Sequence, residues 1–507
     1  MLMRRHGGPG ALGLALLLLA APAPGEEDNR EELPAVIPEP VTTMHSLETV
    51  DGERLEYRAT VGYTPLGEDR EHPEARVFSV AYTVEDEDTD RPVTFLFNGG
   101  PGAASAYLNV GGLGPRVLET DERGLSATTP PRLVDNPKTW LAFTDLVFVD
   151  PPGTGFSRVM EAGDPEDFFE PEGDLAALEE TLERWLDDHG RRGDPVYLGG
   201  ESYGGYRAGA LPARLMRNSG ISVSGTVLVS PALDFGMLEG GTGRPLPHAL
   251  MLPALTASAR AHDRLGDDPP SLEQAEAFAL GDYLEGLLHP DRIDADWIDE
   301  VARFTGIDRD HLRATGGRVT LNMAQRGLLR DEGRLVSLYD GGIDSPDPVP
   351  TRTRPRADAI LDGLVAPLST AMLDHLRNTL DWSHGHQYRL LSREVFGAWD
   401  WDSSQRTGPA SAMDDLATAL ALDPRFRIFS VHGEADLITP YFATEWLLGQ
   451  IAHAADPGDD ERIVTGRYPG GHMLYMRADT NAELFDDARR FYTGHAADED
   501  GAAADPD

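Results

Sequence analysis

The chain has 507 residues, of which 40% are hydrophobic, and it carries a formal net charge of −42 at pH 7. This acidic balance excludes a basic surface for nucleic acid or anionic membranes, since both partners would be repelled. The chain has no cysteine, which excludes disulfides, thiol catalysis and cysteine-ligated zinc. Its length suffices for one large catalytic core with an insertion, or for about two to three ordinary domains.

The first 25 residues are typical of a secretory signal peptide. Arg4 and Arg5 form a basic start, residues 11–20 form an apolar run, and small residues follow up to Gly25. This run is short for a membrane span, which needs about 20 apolar residues, so a retained anchor is the less favoured alternative. We therefore expect export to the periplasm or the medium. An exported protein without cysteine favours a bacterial origin.

Residues 26–44 are predicted as a polar lead-in, and residues 45–233 as the first part of an α/β core. Apolar or alternating runs bounded by turn residues predict strands, and one segment has the periodic apolar face of a helix. The predicted strands are residues 55–61, 76–84, 93–97, 145–150, 195–198 and 226–229, and the helix is 173–189, with Leu175, Leu178, Leu182, Trp185 and Leu186 on one face. This alternation indicates a largely parallel sheet.

Residues 234–422 differ in character and are predicted to form a mostly helical insertion, or cap. Helical segments such as 272–287 and 369–380 alternate with stretches that contain proline and glycine, and strand patterns are scarce. The α/β pattern resumes over residues 423–495, with a strand at 426–431 and a closing helix at 480–492. The tail, residues 496–507, is rich in alanine and aspartate and is predicted to be disordered.

The segment Gly200-Glu201-Ser202-Tyr203-Gly204 lies between a predicted strand and a predicted helix. A G-x-S-x-G pattern in this setting is typical of a nucleophile elbow, where glycines leave room for a strained serine turn. The pattern predicts an α/β-hydrolase fold with a helical insertion, and Ser202 as the nucleophile. A tight turn without catalytic function is the alternative.

Two later loops supply candidates for the acid and the base that a nucleophilic serine requires. In α/β-hydrolases these residues follow the serine in the order Asp or Glu, then His. Asp436, after strand 426–431, is the predicted acid, with Glu434 as its nearest rival. His472, in a glycine-lined loop before the last helix, is the predicted base. His432 precedes the acid and therefore does not fit this order.

An oxyanion hole needs two backbone N–H donors. Tyr203, directly after the nucleophile, is predicted to supply one, and Gly100 in the loop after strand 93–97 is predicted to supply the other. The sequence contains no HExxH motif or histidine pair of the usual spacing, so neither a metal nor another cofactor is predicted. The acidic run 85–90 is expected to be a solvated hairpin loop, with a calcium site as the alternative.

Five segments, read together, resemble the serine carboxypeptidases of peptidase family S10. They are residues 98–102, 148–157, 200–205, 433–436 and 471–473. The resemblance implies a serine-type hydrolase that removes the C-terminal residue of peptides, best at acidic pH. An esterase or acyltransferase with the same triad is the alternative, and a non-catalytic binding protein is the least favoured reading.

The resemblance also implies that Asn98, Gly99 and Glu201 bind the terminal carboxylate of the substrate. Two carboxyl groups can share a hydrogen bond only when one of them holds a proton, so affinity is expected to fall as pH rises toward neutral. A purely supporting role at the elbow is the alternative for Glu201. The sequence departs from the family pattern at Leu96, where tryptophan is common, and at Gly112, where an acidic residue often precedes Leu-Gly-Pro.

Overall fold

The structure is a computed structural model, and it describes residues 37–84, 91–126, 128–238, 240–355, 357–383, 386–402, 408–455 and 462–494. The predicted signal peptide (1–25), the acidic run 85–90 and the predicted disordered tail (496–507) lie outside the described residues. Within the described part, no helix combines the length and the apolar composition that crossing a bilayer would require.

Most strands belong to one large mixed sheet. The strands in chain order are β1 (Val41–Glu48), β2 (Arg54–Leu66), β3 (Ala75–Val84), β4 (Val93–Phe97), β5 (Arg116–Leu118), β6 (Leu133–Asp135), β7 (Asp145–Asp150), β8 (Arg158–Val159), β9 (Val196–Glu201), β10 (Val223–Val229), β11 (Arg334–Val336), β12 (Asp344–Pro346), β13 (Arg427–Gly433) and β14 (Ile463–Tyr468). The order in the large sheet is β1-β2-β3-β7-β4-β9-β10-β13-β14, with β8 beside β3.

The pairing divides this sheet into two parts. From β1 to β7 neighbouring strands are antiparallel, and from β7 through β14 they are parallel. The predicted parallel character therefore holds for the half that carries the elbow. Because parallel strands share one carboxyl edge, the loops after β4, β9, β13 and β14 meet on one side of the sheet.

Helices cover both faces of the sheet and form a separate layer above its carboxyl edge. In chain order they are α1 (Ala106–Leu108), α2 (Pro171–Asp188), α3 (Tyr203–Arg214), α4 (Leu246–Ala261), α5 (Leu272–Phe278), α6 (Leu284–Leu288), α7 (Ala295–Thr305), α8 (Arg309–Ala314), α9 (Leu321–Gly327), α10 (Leu361–Asn378), α11 (Arg393–Ala398), α12 (Met413–Leu422), α13 (Tyr441–Ile451) and α14 (Ala478–Thr493).

The period-two pattern of the strands explains the two cores. Side chains alternate across a strand, so Phe95 and Phe97 of β4 lie in the apolar cluster with α2 and α3, while Leu96 lies in the cluster with α10 and α14. The apolar face predicted for α2 is buried in the first of these clusters, as Leu178 and Leu182 show with no exposed surface.

The predicted single insertion over residues 234–422 divides into parts that pack differently. Helices α4 to α9 bury their apolar faces in a third cluster of their own, which we call the cap. Helix α10 packs into one core of the sheet, and α12 packs into the other, against α3. The cap is therefore shorter than the predicted insertion, and α10 and α12 belong to the hydrolase core.

Several predicted boundaries differ from the structure. β1 begins at Val41, inside the predicted lead-in 26–44, because it pairs with β2 along its whole length. The predicted helix 272–287 is broken between α5 and α6, where Gly281 has φ −95° and ψ −114°. The predicted helix 369–380 begins eight residues earlier, at Leu361, and ends at Asn378.

Candidate active site

The predicted site residues follow the carboxyl ends of four parallel strands. Asn98 follows β4, Ser202 follows β9, Asp436 lies three residues after β13, and His472 lies in the loop after β14. These strands stand close together in the sheet, so residues up to 374 positions apart in the chain reach one place. The topology thereby brings the predicted nucleophile, acid and base to a single edge.

Ser202 occupies a strained turn between β9 and α3. Its φ is +60° and its ψ is −123°, a region that residues other than glycine adopt at a cost of about 1–3 kcal/mol. The surrounding backbone fixes this conformation, since the Ser202 N–H donates to Val229 O at 3.1 Å and the Ser202 carbonyl accepts from Ala232 N at 2.9 Å. A Cβ at Gly200 would lie 1.9 Å from Gly204 O, so this turn requires glycine there.

His472 and Asp436 form a buried hydrogen-bonded pair. His472 Nδ1 lies 2.7 Å from Asp436 Oδ2, and because a carboxylate accepts, Nδ1 donates and Nε2 remains available. Thr439 Oγ1 donates to the same carboxylate oxygen at 2.8 Å and lies 2.8 Å from Ser230 O. The N–H groups of Ile438 and Thr439 donate to Asp436 Oδ1. The acid is therefore held from four sides.

The backbone of His472 is fixed by a residue that enters from the cap side. The His472 N–H donates to Tyr339 O at 2.5 Å, and the Tyr339 ring meets the imidazole edge to face at a centroid distance of 5.2 Å. A Cβ at Gly471 would lie 2.1 Å from Tyr339 O. The glycine before the predicted base is therefore explained by the close approach of this segment.

The rival residues lie elsewhere. Glu434 is half-buried and its N–H donates to Tyr468 O, while Asp436 is the carboxylate that contacts the imidazole. His432 is buried on β13, and neither of its ring nitrogens has a hydrogen bond of standard geometry to the residues described. Burial lowers the pKa of His432 to about 4, so it is neutral at ordinary pH.

Ser202 and His472 line one cavity of about 280 Å³, together with Asn98, Gly100 and Glu201. Tyr203 is the first residue of α3, and the N-terminal N–H groups of a helix lack acceptors within it. The Gly100 N–H has no backbone acceptor in the described chain, and Gly100 stands at φ +103°. The two predicted oxyanion donors therefore both lie beside the serine.

Gly99 lies directly against the elbow, and this contact gives a testable prediction. A Cβ at Gly99 would lie 2.5 Å from Tyr203 N and 2.9 Å from Ser202 Cβ. Gly99→Ala is expected to lower kcat about 100-fold or more, because the methyl group would occupy the place of the oxyanion. Gly193→Ala is the control, since a Cβ there meets nothing within 4 Å. A folded Gly99→Ala protein with the wild-type kcat would contradict donation by the Tyr203 N–H.

Glu201 lies beside Ser202 and is only 3% exposed. The Asn98 side-chain amide donates to Glu201 Oε2, and Asn98 Oδ1 accepts from Leu108 N at 3.1 Å, which orients the amide. Burial raises the pKa of the Glu201 carboxyl to about 7, although His472, Tyr475 and Asn98 each lower it. Glu201 is therefore protonated in acidic solution, in contrast to an ordinary glutamate.

Gly112, where the family pattern often has an acidic residue, leaves space in this site for a tyrosine ring. A Cβ at Gly112 would lie 2.6 Å from the ring of Tyr475, so the absence of a side chain makes room for that ring. The Tyr475 hydroxyl lies close enough to Glu201 to affect its pKa, without a hydrogen bond of standard geometry. Tyr107 also lines the cavity, and its buried hydroxyl has no partner among the described residues. Neither tyrosine belongs to a motif from which the sequence could predict it.

A buried ion pair supports the loop that carries Asn98. Arg207 on α3 and Asp174 on α2 form two hydrogen bonds of 2.8 Å, and both side chains are only 1% exposed. Arg207 also donates to Asn98 O at 2.5 Å and lies over the Tyr203 ring. Removal of one charge from such a pair leaves the other uncompensated, so the pair fixes the relative positions of the elbow helix and the loop.

The strand order, the elbow after β9 and the Asp436–His472 pair define the class of protein: an α/β-hydrolase with a serine at the nucleophile position. Comparison with known proteins narrows this class. The family model of serine carboxypeptidases matches residues 50–230, which include Asn98, Glu201 and Ser202. Over these residues the chain is similar to the serine carboxypeptidase family.

Curated serine carboxypeptidases match part of this chain. Residues of this chain are 34% identical over 122 positions to the pheromone-processing carboxypeptidase kex1 of Sclerotinia sclerotiorum, covering 23% of this chain and 17% of that protein. They are 33% identical over 132 positions to the serine carboxypeptidase-like protein 44 of Arabidopsis thaliana, covering 24% of each protein. The matched regions thus span a quarter or less of these relatives.

Among solved structures, an enantioselective mutant of the epoxide hydrolase from Aspergillus niger matches with a TM-score of 0.37 and 14% identity. The match covers 86% of this chain and 78% of that one. The strand order and the elbow after β9 define the fold.

Proposed function

We propose that this protein is an exported serine carboxypeptidase that hydrolyses the C-terminal residue of peptides through an acyl-enzyme. The observation that carries the proposal is the Glu201 carboxyl group. It is buried next to Ser202, it accepts a hydrogen bond from Asn98, and its pKa lies near 7. Export rests on the predicted signal peptide, and sequencing the N-terminus of the mature protein checks it.

In the proposed reaction Ser202 Oγ attacks the carbonyl carbon of the last peptide bond, and His472 Nε2 takes its proton. Asp436 keeps the imidazole oriented through Nδ1 and stabilises the imidazolium. The N–H groups of Gly100 and Tyr203 donate to the oxyanion of the tetrahedral intermediate. His472 then returns the proton to the leaving amine, and the same steps with water release the acyl group.

The protonated Glu201 supplies selectivity for chain ends. A terminal carboxylate accepts a hydrogen bond from the protonated Glu201 carboxyl, whereas an ionised Glu201 would repel it. The Asn98 amide and the Gly99 backbone complete this proposed subsite on the same side of the serine. A substrate without a free carboxylate would place an amide or an ester there and lose this charge-assisted hydrogen bond.

Glu201 and His472 titrate as a coupled pair. Burial lowers the pKa of the His472 imidazole, but the Asp436 carboxylate and then Glu201 raise it, and the net pKa lies above the usual value. Protonation of Glu201 removes its share of this increase, so His472 can be neutral at lower pH when Glu201 holds a proton. In the active form Glu201 is protonated and His472 is neutral. The two apparent pKa values of the pH profile therefore belong to the pair and not to either residue alone.

The test compares an N-blocked dipeptide with its C-terminal amide and with a short-chain ester across pH. We expect kcat/KM for the free acid to exceed that for the amide about 10-fold or more at pH 5 to 6, since hydrogen bonds to charged groups are each worth about 1.5–3 kcal/mol. Above pH 7 the two values should converge because Glu201 ionises. Equal rates on acid and amide at every pH, with faster ester hydrolysis, would favour the esterase alternative instead.

A further inference from the structure

The wall of the cavity on the cap side contains polar side chains that the proposed reaction does not use. Helix α9 contributes Asn322 and Gln325 to this wall, and the segment between β12 and α10 contributes Arg354. These residues lie more than 100 positions after Ser202 in the chain and do not belong to the elbow. They are therefore candidates for contacts with substrate side chains rather than with the reacting bond.

Gln325 is a buried amide without a partner. The residue is 2% exposed and lines the cavity, and its side chain makes no hydrogen bond to any described residue. A side-chain amide that lines a cavity without a protein partner can donate to, and accept from, a ligand there. An amide in this position is satisfied when a ligand in the cavity offers an acceptor.

Arg354 is exposed at the cavity and has no ion pair within the described chain. The nearest acidic residues in sequence are engaged elsewhere, since Asp358 accepts hydrogen bonds from Ser337 Oγ and Leu338 N, and Asp347 lies 3.0 Å from Arg326. In a chain with 86 acidic and 44 basic residues, an unpaired arginine at the substrate cavity is unusual.

The backbone that carries Arg354 is held in place by α9. Asn322 Nδ2 donates to Thr353 O at 2.8 Å, and the Arg326 guanidinium donates to Arg352 O. Since Gln325 lies between these two residues on the same helix, the anchoring places Arg354 and Gln325 on one wall. Arg354 is thereby presented from a supported segment.

Few charged side chains line the cavity, and the cap-side wall carries the arginine among them. Arg354 is the sole arginine or lysine among the described residues that line it, and Glu201 is the sole acidic residue. His248 also lines the cavity, but burial lowers its pKa and thereby disfavours its cationic form. Apart from His472, which lies beside the nucleophile, an acidic group of a substrate would therefore find its cation at Arg354 and a neutral donor at Gln325.

We infer that Gln325 and Arg354 form a subsite for an acidic side chain of the substrate, on one of the two residues that flank the scissile bond. The enzyme would then prefer peptides with aspartate or glutamate near the C-terminus. This inference rests on the proposed function for its catalytic readout. The Arg354 guanidinium can bind the side-chain carboxylate through two parallel hydrogen bonds, and the Gln325 amide can donate a further one.

The experiment measures kcat/KM at about pH 5.5 and 0.15 M salt, where a substrate glutamate is ionised and Glu201 still holds its proton. Blocked dipeptides carry Glu or Gln at the penultimate position in one series and at the last position in another, with a blocked Ala-Leu peptide as neutral reference. We expect Glu to exceed Gln in one series, which identifies the position bound. Arg354→Gln should lower this Glu/Gln ratio about five- to tenfold.

Controls separate this subsite from other effects. Arg352→Gln removes an exposed charge two residues away that does not line the cavity, and it should leave the ratio unchanged. Gln325→Met should lower the ratio as well. An unchanged ratio in Arg354→Gln would overturn the inference. An equal loss on the neutral and the acidic peptides would also overturn it, since Arg354 would then bind the terminal carboxylate.

A binding measurement keeps the inference separate from the proposed function. Calorimetric titration of the Ser202→Ala protein with the same peptides does not require turnover. Tighter binding of the Glu peptide than of the Gln peptide, lost in the Arg354→Gln protein, supports the subsite. If wild-type protein does not cleave the neutral peptide, the proposed function fails, but this binding result still supports the subsite. Equal binding of Glu and Gln peptides would overturn the subsite.

Discussion

Replacement of Ser202 by alanine is expected to lower kcat on blocked dipeptides by at least about 10⁴-fold, as in other enzymes that lose a serine nucleophile. Binding should change little, because the residues proposed to hold the substrate, Asn98 and Glu201, are untouched. The side chain of Ser202 is partly exposed in the cavity, so its truncation leaves no buried void. Steady-state kinetics together with calorimetric titration of the same peptides checks both expectations.

Ser222→Ala serves as the control for this prediction, since Ser222 is exposed just before β10 and remote in sequence from the elbow turn. It should retain the wild-type kcat. Activity of the Ser202→Ala protein above about one part in a thousand of wild type would argue against Ser202 as the nucleophile.

Glu201→Gln is expected to change the pH dependence more than the maximal rate. The pKa of Glu201 is raised to about 7, so its proton is present below pH 7 and is lost as pH rises through that value. Wild-type kcat/KM for a free-acid peptide should therefore fall about 10-fold between pH 7 and pH 8.5. Glutamine keeps an N–H donor at every pH, so the variant should not show this fall.

The acidic limb should stay close to its wild-type position in the same variant. Ionised Glu201 raises the pKa of His472, but below pH 7 Glu201 already holds a proton, so a neutral amide at this position leaves the pKa of His472 near its wild-type value in acid. Glu434→Gln is the matched control, because Glu434 is a half-buried carboxyl whose pKa burial also raises, outside the cavity. If Glu201→Gln retained the wild-type decline above pH 7, another group would control carboxylate binding.

The parts of the fold that the sequence predicts best are its buried parallel strands. The boundaries of β4 (Val93–Phe97) and β7 (Asp145–Asp150) are confirmed to the residue, because both are continuous apolar runs that turn residues interrupt. The elbow helix and the apolar face of α2 are also confirmed. In each case the determining signal lies within about 20 consecutive residues.

Features that depend on distant contacts could not be read in this way. β1 is half-exposed and gains its place by pairing with β2, so its polar sequence resembled a lead-in. Helix α10 continues through Pro367, where tertiary packing outweighs the lost N–H and the local helix-breaking signal. The division of the predicted insertion between cap and core follows from packing against helices far away in the chain.

In the candidate site, too, local sequence predicts some residues, whereas others depend on distant contacts. Asp436 and His472 could be predicted because strand, loop and chain order restrict the choice, and the structure places them 2.7 Å apart. Tyr475 could not, because its approach to Glu201 depends on the missing side chain at Gly112. The position of Thr439 could have been inferred from one local pattern, a threonine three residues after an aspartate. At this spacing the hydroxyl can donate to the aspartate carboxylate within a turn.

The contact between Tyr339 O and the His472 N–H bears on how this protein can be engineered. The segment that contains Tyr339 lies between the cap and the loop that carries His472. Chimaeras that exchange the whole region between β10 and β13 would therefore also replace the residue that accepts the His472 N–H. A graft limited to helices α4 to α9 would change the cavity wall and keep residues 337–343 in place. Transfer of substrate preference between relatives should therefore succeed only when the boundary of the exchanged segment lies before Ser337.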